Sequence, residues 1–279
     1  MNMKTILLSL LLVFSLTFPS YSQEGKLHKA KERINQNSRT TSTSVTSTRD
    51  SRRSRRNLDS EKPFHNLITA LAINLTYGLA VESVFERDSR MHDAVLSSYP
   101  YKEKHYGNYK YDDETTDYAI ARLDITTNFV YESSQLYGND LDLKFHFAKR
   151  LSLEVDYLQL FEKTSNETES FSLISAMANY HRIRTQRLDF WFGLGTMYVA
   201  NEVQEFGFSY GLGAEWFIQK PIGIYVSYKG STINNQNLAK TKTVLKYHVK
   251  KYHVSVGYEF YRLSVSDINA FSVGFGVSL

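Results

Sequence analysis

The feature that most restricts this chain is alternation at period two, with different chemistry on the two faces. In Leu141-Asp-Leu-Lys-Phe-His-Phe147 every odd residue is apolar and every even one polar. This is how a strand reads when one face meets an apolar environment and the other water. The pattern resumes in Leu151-Ser-Leu-Glu-Val-Asp-Tyr157 after only Ala148-Lys-Arg150, a hairpin-length connection. It recurs over 188–196, and over 206–216 with Phe206, Phe208, Tyr210, Leu212 and Trp216 on one face. Gly193, Gly195, Gly207, Gly211 and Gly213 occupy the other face of these two segments. Small residues suit a narrow lumen, whereas a sandwich would bury its large residues. The aromatic face is therefore assigned outward and the charged, glycine-rich face inward, which predicts an all-β, antiparallel transmembrane β-barrel. Such strands escape hydropathy searches because only alternate residues face lipid.

Composition supports β structure: there are 20 Tyr and 17 Phe but 4 Pro in 279 residues. With no cysteine, disulfide scaffolds, thiol nucleophiles and Cys-ligated metal centres are excluded. The net charge of +4 is misleading until it is located. Residues 23–62 hold 11 Lys/Arg against 5 Asp/Glu, and Lys4 adds one more, so residues 63–279 carry 21 basic and 24 acidic side chains. The folded part is not basic, so nucleic acid is not an expected partner.

Lys4, the apolar run 6–18, Pro19 and the small residues Ser20 and Ser22 read as a signal peptide over 1–22. Residues 23–62 are rich in Ser, Thr and Arg, including the cluster Arg52-Arg-Ser-Arg-Arg56, and read as a disordered basic tether. Residues 63–118 fit two periods. Leu71, Ile73, Leu75, Tyr77, Leu79 and Val81 alternate, while Phe64, Leu67, Ile68, Leu71, Leu75 and Leu79 follow a helical stripe. The segment holds either an extra strand pair, with Tyr106-Gly-Asn-Tyr-Lys-Tyr111 as the return, or a helix.

The chain ends on Phe271-Ser-Val-Gly-Phe-Gly-Val-Ser-Leu279, five apolar residues in strict alternation. This ending resembles the terminal strand of bacterial outer-membrane β-barrels, which normally closes on an aromatic residue where this chain has Leu279. With the signal peptide and Tyr-rich strands, residues 119–279 look most like barrel proteins of the Bacteroidetes group. The resemblance implies an outer-membrane location, with outer-membrane lipid and the barrel-assembly machinery as partners. It also implies an assembly signal at Phe271, Val273, Phe275, Val277 and Leu279, and carries no catalytic residues.

Ten strands are predicted: 119–131, 138–148, 151–162, 171–184, 187–200, 205–218, 222–230, 242–249, 252–263 and 270–279. The parity of apolar residues flips at Lys250-Lys251, so the chain either reverses there or carries a bulge. Reversal places short turns at one end and the longer connections, among them 231–241 and 264–269, at the other. A twelve-strand barrel that includes part of 63–118 is the alternative.

The lumen is then lined by Arg122, Asp124, Asp142, Lys144, His146, Glu154 and Asp156, joined by His253 and Glu259. Charges of both signs in a narrow barrel read first as a paired interior. The sharper reading is an embedded lipid or peptide hydrolase using His253, Glu259 and Ser255. A metal site at His248 and His253 is weaker, because the two differ in parity on adjacent strands. No phosphate loop, dinucleotide fingerprint or HExxH is present, and no cofactor is expected. The leading reading is a non-enzymatic outer-membrane barrel acting as a small pore, surface or envelope component. The alternatives are the embedded hydrolase and a soluble secreted barrel binding an apolar ligand inside.

Overall fold

A computed structural model describes residues 25–41, 94–102, 107–110, 119–164 and 167–279. The expected signal peptide, the rest of the tether and the Phe64 to Val81 stretch lie outside them. The elements are α1 (Lys26–Thr41), β1 (Val95–Leu96), β2 (Tyr109–Lys110), β3 (Arg122–Tyr131), β4 (Leu136–His146), β5 (Leu151–Lys163) and β6 (Thr168–Arg184). They continue with β7 (Leu188–Val199), β8 (Glu205–Gln219), β9 (Ile222–Ile233), β10 (Gln236–Val249), β11 (Tyr252–Leu263) and β12 (Ser266–Ser278).

Strands β3 to β12 form a closed ten-stranded barrel in which each strand pairs antiparallel with its chain neighbour and β12 returns to β3. Closure removes every sheet edge, the condition for placing strands in lipid. The chain does reverse at Lys250-Lys251, with Lys250 at φ 54° and Val249 paired with Tyr252. The twelve-strand alternative is corrected: Tyr109 and Lys110 pair with Leu96 and Val95 in a small separate ribbon, and the barrel closes without them. Among the described residues, no helix is long and apolar enough to cross a membrane.

The connection expected over 231–241 is shorter than its polarity suggests. Strands β9 and β10 continue to Ile233 and Gln236, joined by Asn234 and Asn235 at φ 49° and 61°. Two consecutive positive φ values make a primed two-residue hairpin turn, and Asn tolerates that region better than most residues. The 264–269 connection likewise shrinks to Ser264 and Val265. One end of the barrel, here the loop end, carries the connections at 132–135, 164–167 and 200–204 with these two tight turns. The other, the turn end, carries the remaining hairpins together with the seam where β12 meets β3.

Side chains sort by parity as the alternation requires. Phe206, Phe208 and Trp216 are 67%, 63% and 53% exposed on the outer face of β8, while Ser209 between them is 0% exposed. Phe145, Leu153, Val155, Tyr247, Val254, Val256 and Phe275 extend the apolar belt over the other strands. The inward glycines are not bare lumen, however. A Cβ on Gly213 would lie 2.6 Å from the Trp191 ring, and one on Gly211 2.9 Å from Met177. Glycine at these positions lets large inward side chains from β6 and β7 lie across β8.

Part of the expected tether is ordered, which corrects the reading of 23–62 as disordered throughout. Residues 26–41 are α1, and Leu27, Ala30 and Ile34, spaced three and four apart, are fully buried. They join Val130, Leu158, Leu160, Phe171, Val199 and Ile268 in an apolar layer that fills the loop end of the barrel. Composition missed this because it weighs a whole segment, whereas three residues on one helical stripe suffice when the barrel supplies the rest of the core. The Glu162 carboxylate accepts hydrogen bonds from the backbone N–H groups of Lys26 and Leu27 at 2.9 and 2.7 Å, satisfying donors that a helix leaves free at its N-terminus. Lys26 pairs with Glu132 at 2.8 Å and Lys31 with Glu169. Leu27→Asp is therefore expected to undock α1 while leaving the barrel intact. Limited proteolysis checks this: cleavage within 26–41 should rise about tenfold or more, since a buried charge at this site costs well over the 1.4 kcal/mol that a factor of ten represents.

The C-terminal strand closes the seam. Leu279 exchanges both backbone hydrogen bonds with Leu123, at 3.0 and 2.8 Å, and Val277 and Ser278 pair with Ile125 and Asp124. Phe271, Val273, Phe275 and Leu279 lie outward on the belt. Deleting residues 277–279 is expected to leave the barrel unassembled. Leu279→Phe keeps the backbone pairing and should assemble normally, and heat-modifiable gel mobility separates the two outcomes.

Candidate functional site: the filled lumen

Below the apolar layer the lumen is crossed by ion pairs between opposite walls. Strands β9 and β10 contribute Lys229, Lys240 and Lys242, while β4 and β5, half a turn away around the barrel, contribute Asp140, Asp142, Glu154 and Asp156. Lys229 reaches Glu154 at 2.5 Å and also pairs with Asp156. Lys240 reaches Asp140 at 2.7 Å and Asp156 at 3.2 Å. Lys242 reaches Asp140 at 2.5 Å and also pairs with Asp142. Ser175 and Asn179 donate to Asp156 and Glu154 at 2.8 and 2.6 Å, completing the carboxylates' hydrogen bonding. Asp140, Asp142 and Asp156 lie close enough together to hold a metal ion, yet the lysine ammonium groups already supply the opposing charge.

Every residue assigned to the lumen from sequence faces inward. Arg122, His146, Glu154, Asp156, His253 and Glu259 are buried, while Asp124, Asp142 and Lys144 are partly exposed to a small cavity near the turn end. Lys144 stands 5.1 Å over both the Trp191 and Tyr225 rings and 3.4 Å from Glu154. The cavity holds about 60 Å³, room for a few waters. Sequence reasoning did not name Lys229, Lys240, Lys242 or Asp140. Asp140 and Lys229 share the inward parity of their strands, which was the available signal, whereas Lys240 fell within an expected loop.

The expected hydrolase set does not assemble. Ser255 donates to Asn128 at 2.9 Å, Glu259 accepts from Tyr261, and His253 lies 3.3 Å from Thr126. The parity objection to His248 and His253 is also corrected. Across the two-residue turn they are directly paired in register, with rings 5.4 Å apart. Among the described residues, no group of three or more metal-ligating side chains includes them.

A different Ser, His and Asp meet instead. Ser152 on β5 lies 2.9 Å from Nε2 of His181 on β6, whose Nδ1 is 2.7 Å from Asp189 on β7. All three are buried. The sequence gives no hint of this: the residues lie on three strands, and a register shift between His181 and Ile183 sets which side chains of β6 turn inward.

Residues 94–102 and 107–110 close the turn end as a strap. Arg122 donates to the Ser97 carbonyl at 3.0 Å and to Asn108 Oδ1 at 2.9 Å, and Asn108 donates to Asp189 at 3.0 Å. Tyr101 donates to the Ile222 carbonyl and packs edge-on against Phe217 and His248. Burial, followed by the nearby Glu215 charge, pushes the Tyr101 hydroxyl well above its usual range, so it remains a donor.

No protein-family model and no curated protein matches the chain. Solved structures similar to it include Ail of Yersinia pestis, at 12% identity over 57% of this chain and 99% of Ail, with TM-score 0.33. An outer membrane channel of Pseudomonas putida F1 matches at 8% identity over 61% of this chain and all of that one, with TM-score 0.36. The N-terminal barrel domain of Pseudomonas aeruginosa OprF matches at 12% identity over 57% of this chain and 97% of that domain, with TM-score 0.30. These neighbours are outer-membrane barrels. At this level of likeness they contribute no residue roles, and the functional reading below rests on the faces of this chain's own barrel.

Proposed function

We propose that this chain is a bacterial outer-membrane β-barrel whose lumen is held shut, with a surface or envelope role. The observation that carries the reading is the sorting of its two faces. A belt of exposed Phe, Tyr, Trp, Leu and Val encircles a closed barrel, and Lys, Asp, Glu and His fill its inside. In water this arrangement would leave far more contiguous apolar surface exposed than soluble monomers tolerate; in lipid it is the expected polarity. Outer-membrane lipid is then the partner of the belt, and the β12 ending is the segment that the barrel-assembly machinery would read.

The soluble ligand-binding alternative needs an empty apolar interior. Here the only extensive apolar layer among the described inward residues is filled by α1, and the level below it is charged. Three obstacles lie in series along the lumen: α1, the ion pairs and the strap. They favour a closed barrel over an open conduit. The test is fractionation of the mature chain, which should accompany outer membranes, resist carbonate extraction and show a heat-dependent shift in gel mobility. Recovery as a soluble monomer without detergent would overturn the proposal.

A further inference from the structure

Ser152, His181 and Asp189 satisfy the geometry of a nucleophile, a base and an orienting acid. With the Nδ1 proton held by Asp189 at 2.7 Å, Nε2 is left to accept the hydroxyl proton of Ser152 at 2.9 Å. Asp189 is itself oriented by Asn108, which donates to its other oxygen at 3.0 Å. The space beside the base is filled by the strap's Tyr109. Its ring lies 6.4 Å from that of His181, and the Arg184 guanidinium stands 5.7 Å from the ring centre. Arg184 meanwhile donates to the Ala94 carbonyl at 3.3 Å, and Arg122 to that of Ser97 at 3.0 Å. Two cations at this end thus hold carbonyl oxygens of an extended piece of chain, one of them in ring contact with the same tyrosine that covers the base.

From this arrangement we propose that Ser152, His181 and Asp189 form a serine-hydrolase relay that acts on an extended peptide at the turn end, and that the strap occupies the substrate's place. In the reaction, Ser152 Oγ adds to the peptide carbonyl carbon as its proton passes to His181 Nε2. The addition leaves the former carbonyl oxygen as an oxyanion. The C–N bond then breaks and the amine leaves with the proton from His181. Water hydrolyses the acyl-Ser152 ester through the same base, restoring the hydroxyl. Withdrawal of the strap is the step that admits substrate, so the closed barrel is the resting form.

A relay differs from three buried polar groups that merely satisfy one another in the reactivity of its serine. The test uses the full chain refolded in detergent, with a fluorophosphonate probe. Tyr109→Ala uncovers the base, and Tyr101→Ala loosens the strap at its other anchor in case the first variant does not assemble. Either variant, once heat-modifiable mobility shows the barrel assembled, is expected to label on Ser152 at least tenfold faster than the unaltered chain. Ser152→Ala in the same background should abolish labelling. The loosened variants should also cleave a fluorogenic peptide mixture. Absence of Ser152 labelling in an assembled, loosened barrel overturns the relay, and labelling without peptide cleavage overturns the substrate class. Because gel mobility reports assembly separately, neither result is confused with failure of the barrel reading.

Discussion

Replacing Lys229 by alanine is expected to destabilise the barrel by about 3 to 5 kcal/mol, the range for leaving a buried charge without its partner. Lys229 reaches across the lumen to both Glu154 and Asp156, and all three are buried. Removing it leaves two carboxylates with Lys144 at 3.4 Å from Glu154, Lys240 and Lys242 at 3.2 and 4.0 Å from Asp156, and their Asn179 and Ser175 donors. The double change Lys229→Met with Glu154→Gln removes one charge of each sign and should recover a large part of the loss. Urea unfolding of the refolded barrel, followed by tryptophan fluorescence from Trp191 and Trp216, measures both. A loss below about 1 kcal/mol for the single variant would place the pair in the range of solvated surface ion pairs, and the lumen would then have to be wet and open.

The second large effect concerns the outer face. Val256 lies outward near the middle of β11, between inward Ser255 and Gly257. Val256→Arg should cost about 2 to 4 kcal/mol, the range for a cation on the lipid face near the midplane, whereas Val256→Leu should be near neutral. Assembly yield by heat-modifiable mobility reads the difference. The complementary inward substitution, Ser209→Arg, is expected to be no milder. Ser209 is fully buried opposite Ser231, and neighbouring Gly211 and Gly207 already sit under Met177, Ile233 and Ser231. The lumen is filled at that level, so an inward arginine there has no space in which to be hydrated.

What could be read in the sequence, and what could not, follows from the range of the physics involved. Period-two alternation is local, so each of the ten strands and the reversal at Lys250-Lys251 was readable between residues 119 and 279. Turn chemistry is also local, and Asn234-Asn235 was a readable hairpin signal hidden by the polar residues around it. Lys240 illustrates the cost: placed in an expected loop, it received no face, and one member of the cross-lumen network was lost. Pairing across the barrel is not local. Nothing near Lys229 or Lys242 in the chain indicates that Glu154 or Asp140 will lie opposite. Likewise, the role of Leu27, Ala30 and Ile34 depends on an apolar layer contributed by distant strand ends, and Ser152, His181 and Asp189 meet only through strand register.

The central claim is that the apolar face of this barrel meets lipid and the charged face does not, and the absence of native cysteines allows a direct measurement. Single cysteines at positions 254 to 258 of β11 can each carry a nitroxide in the barrel reconstituted into phospholipid vesicles. Collisional relaxation by oxygen, which concentrates in the bilayer, should then be high at 254, 256 and 258 and low at 255 and 257. A water-soluble nickel chelate should relax none of the three outward positions near the midplane. Strong relaxation by the chelate at 254, 256 and 258 would put the aromatic and aliphatic belt in water, and the membrane-barrel account would fall.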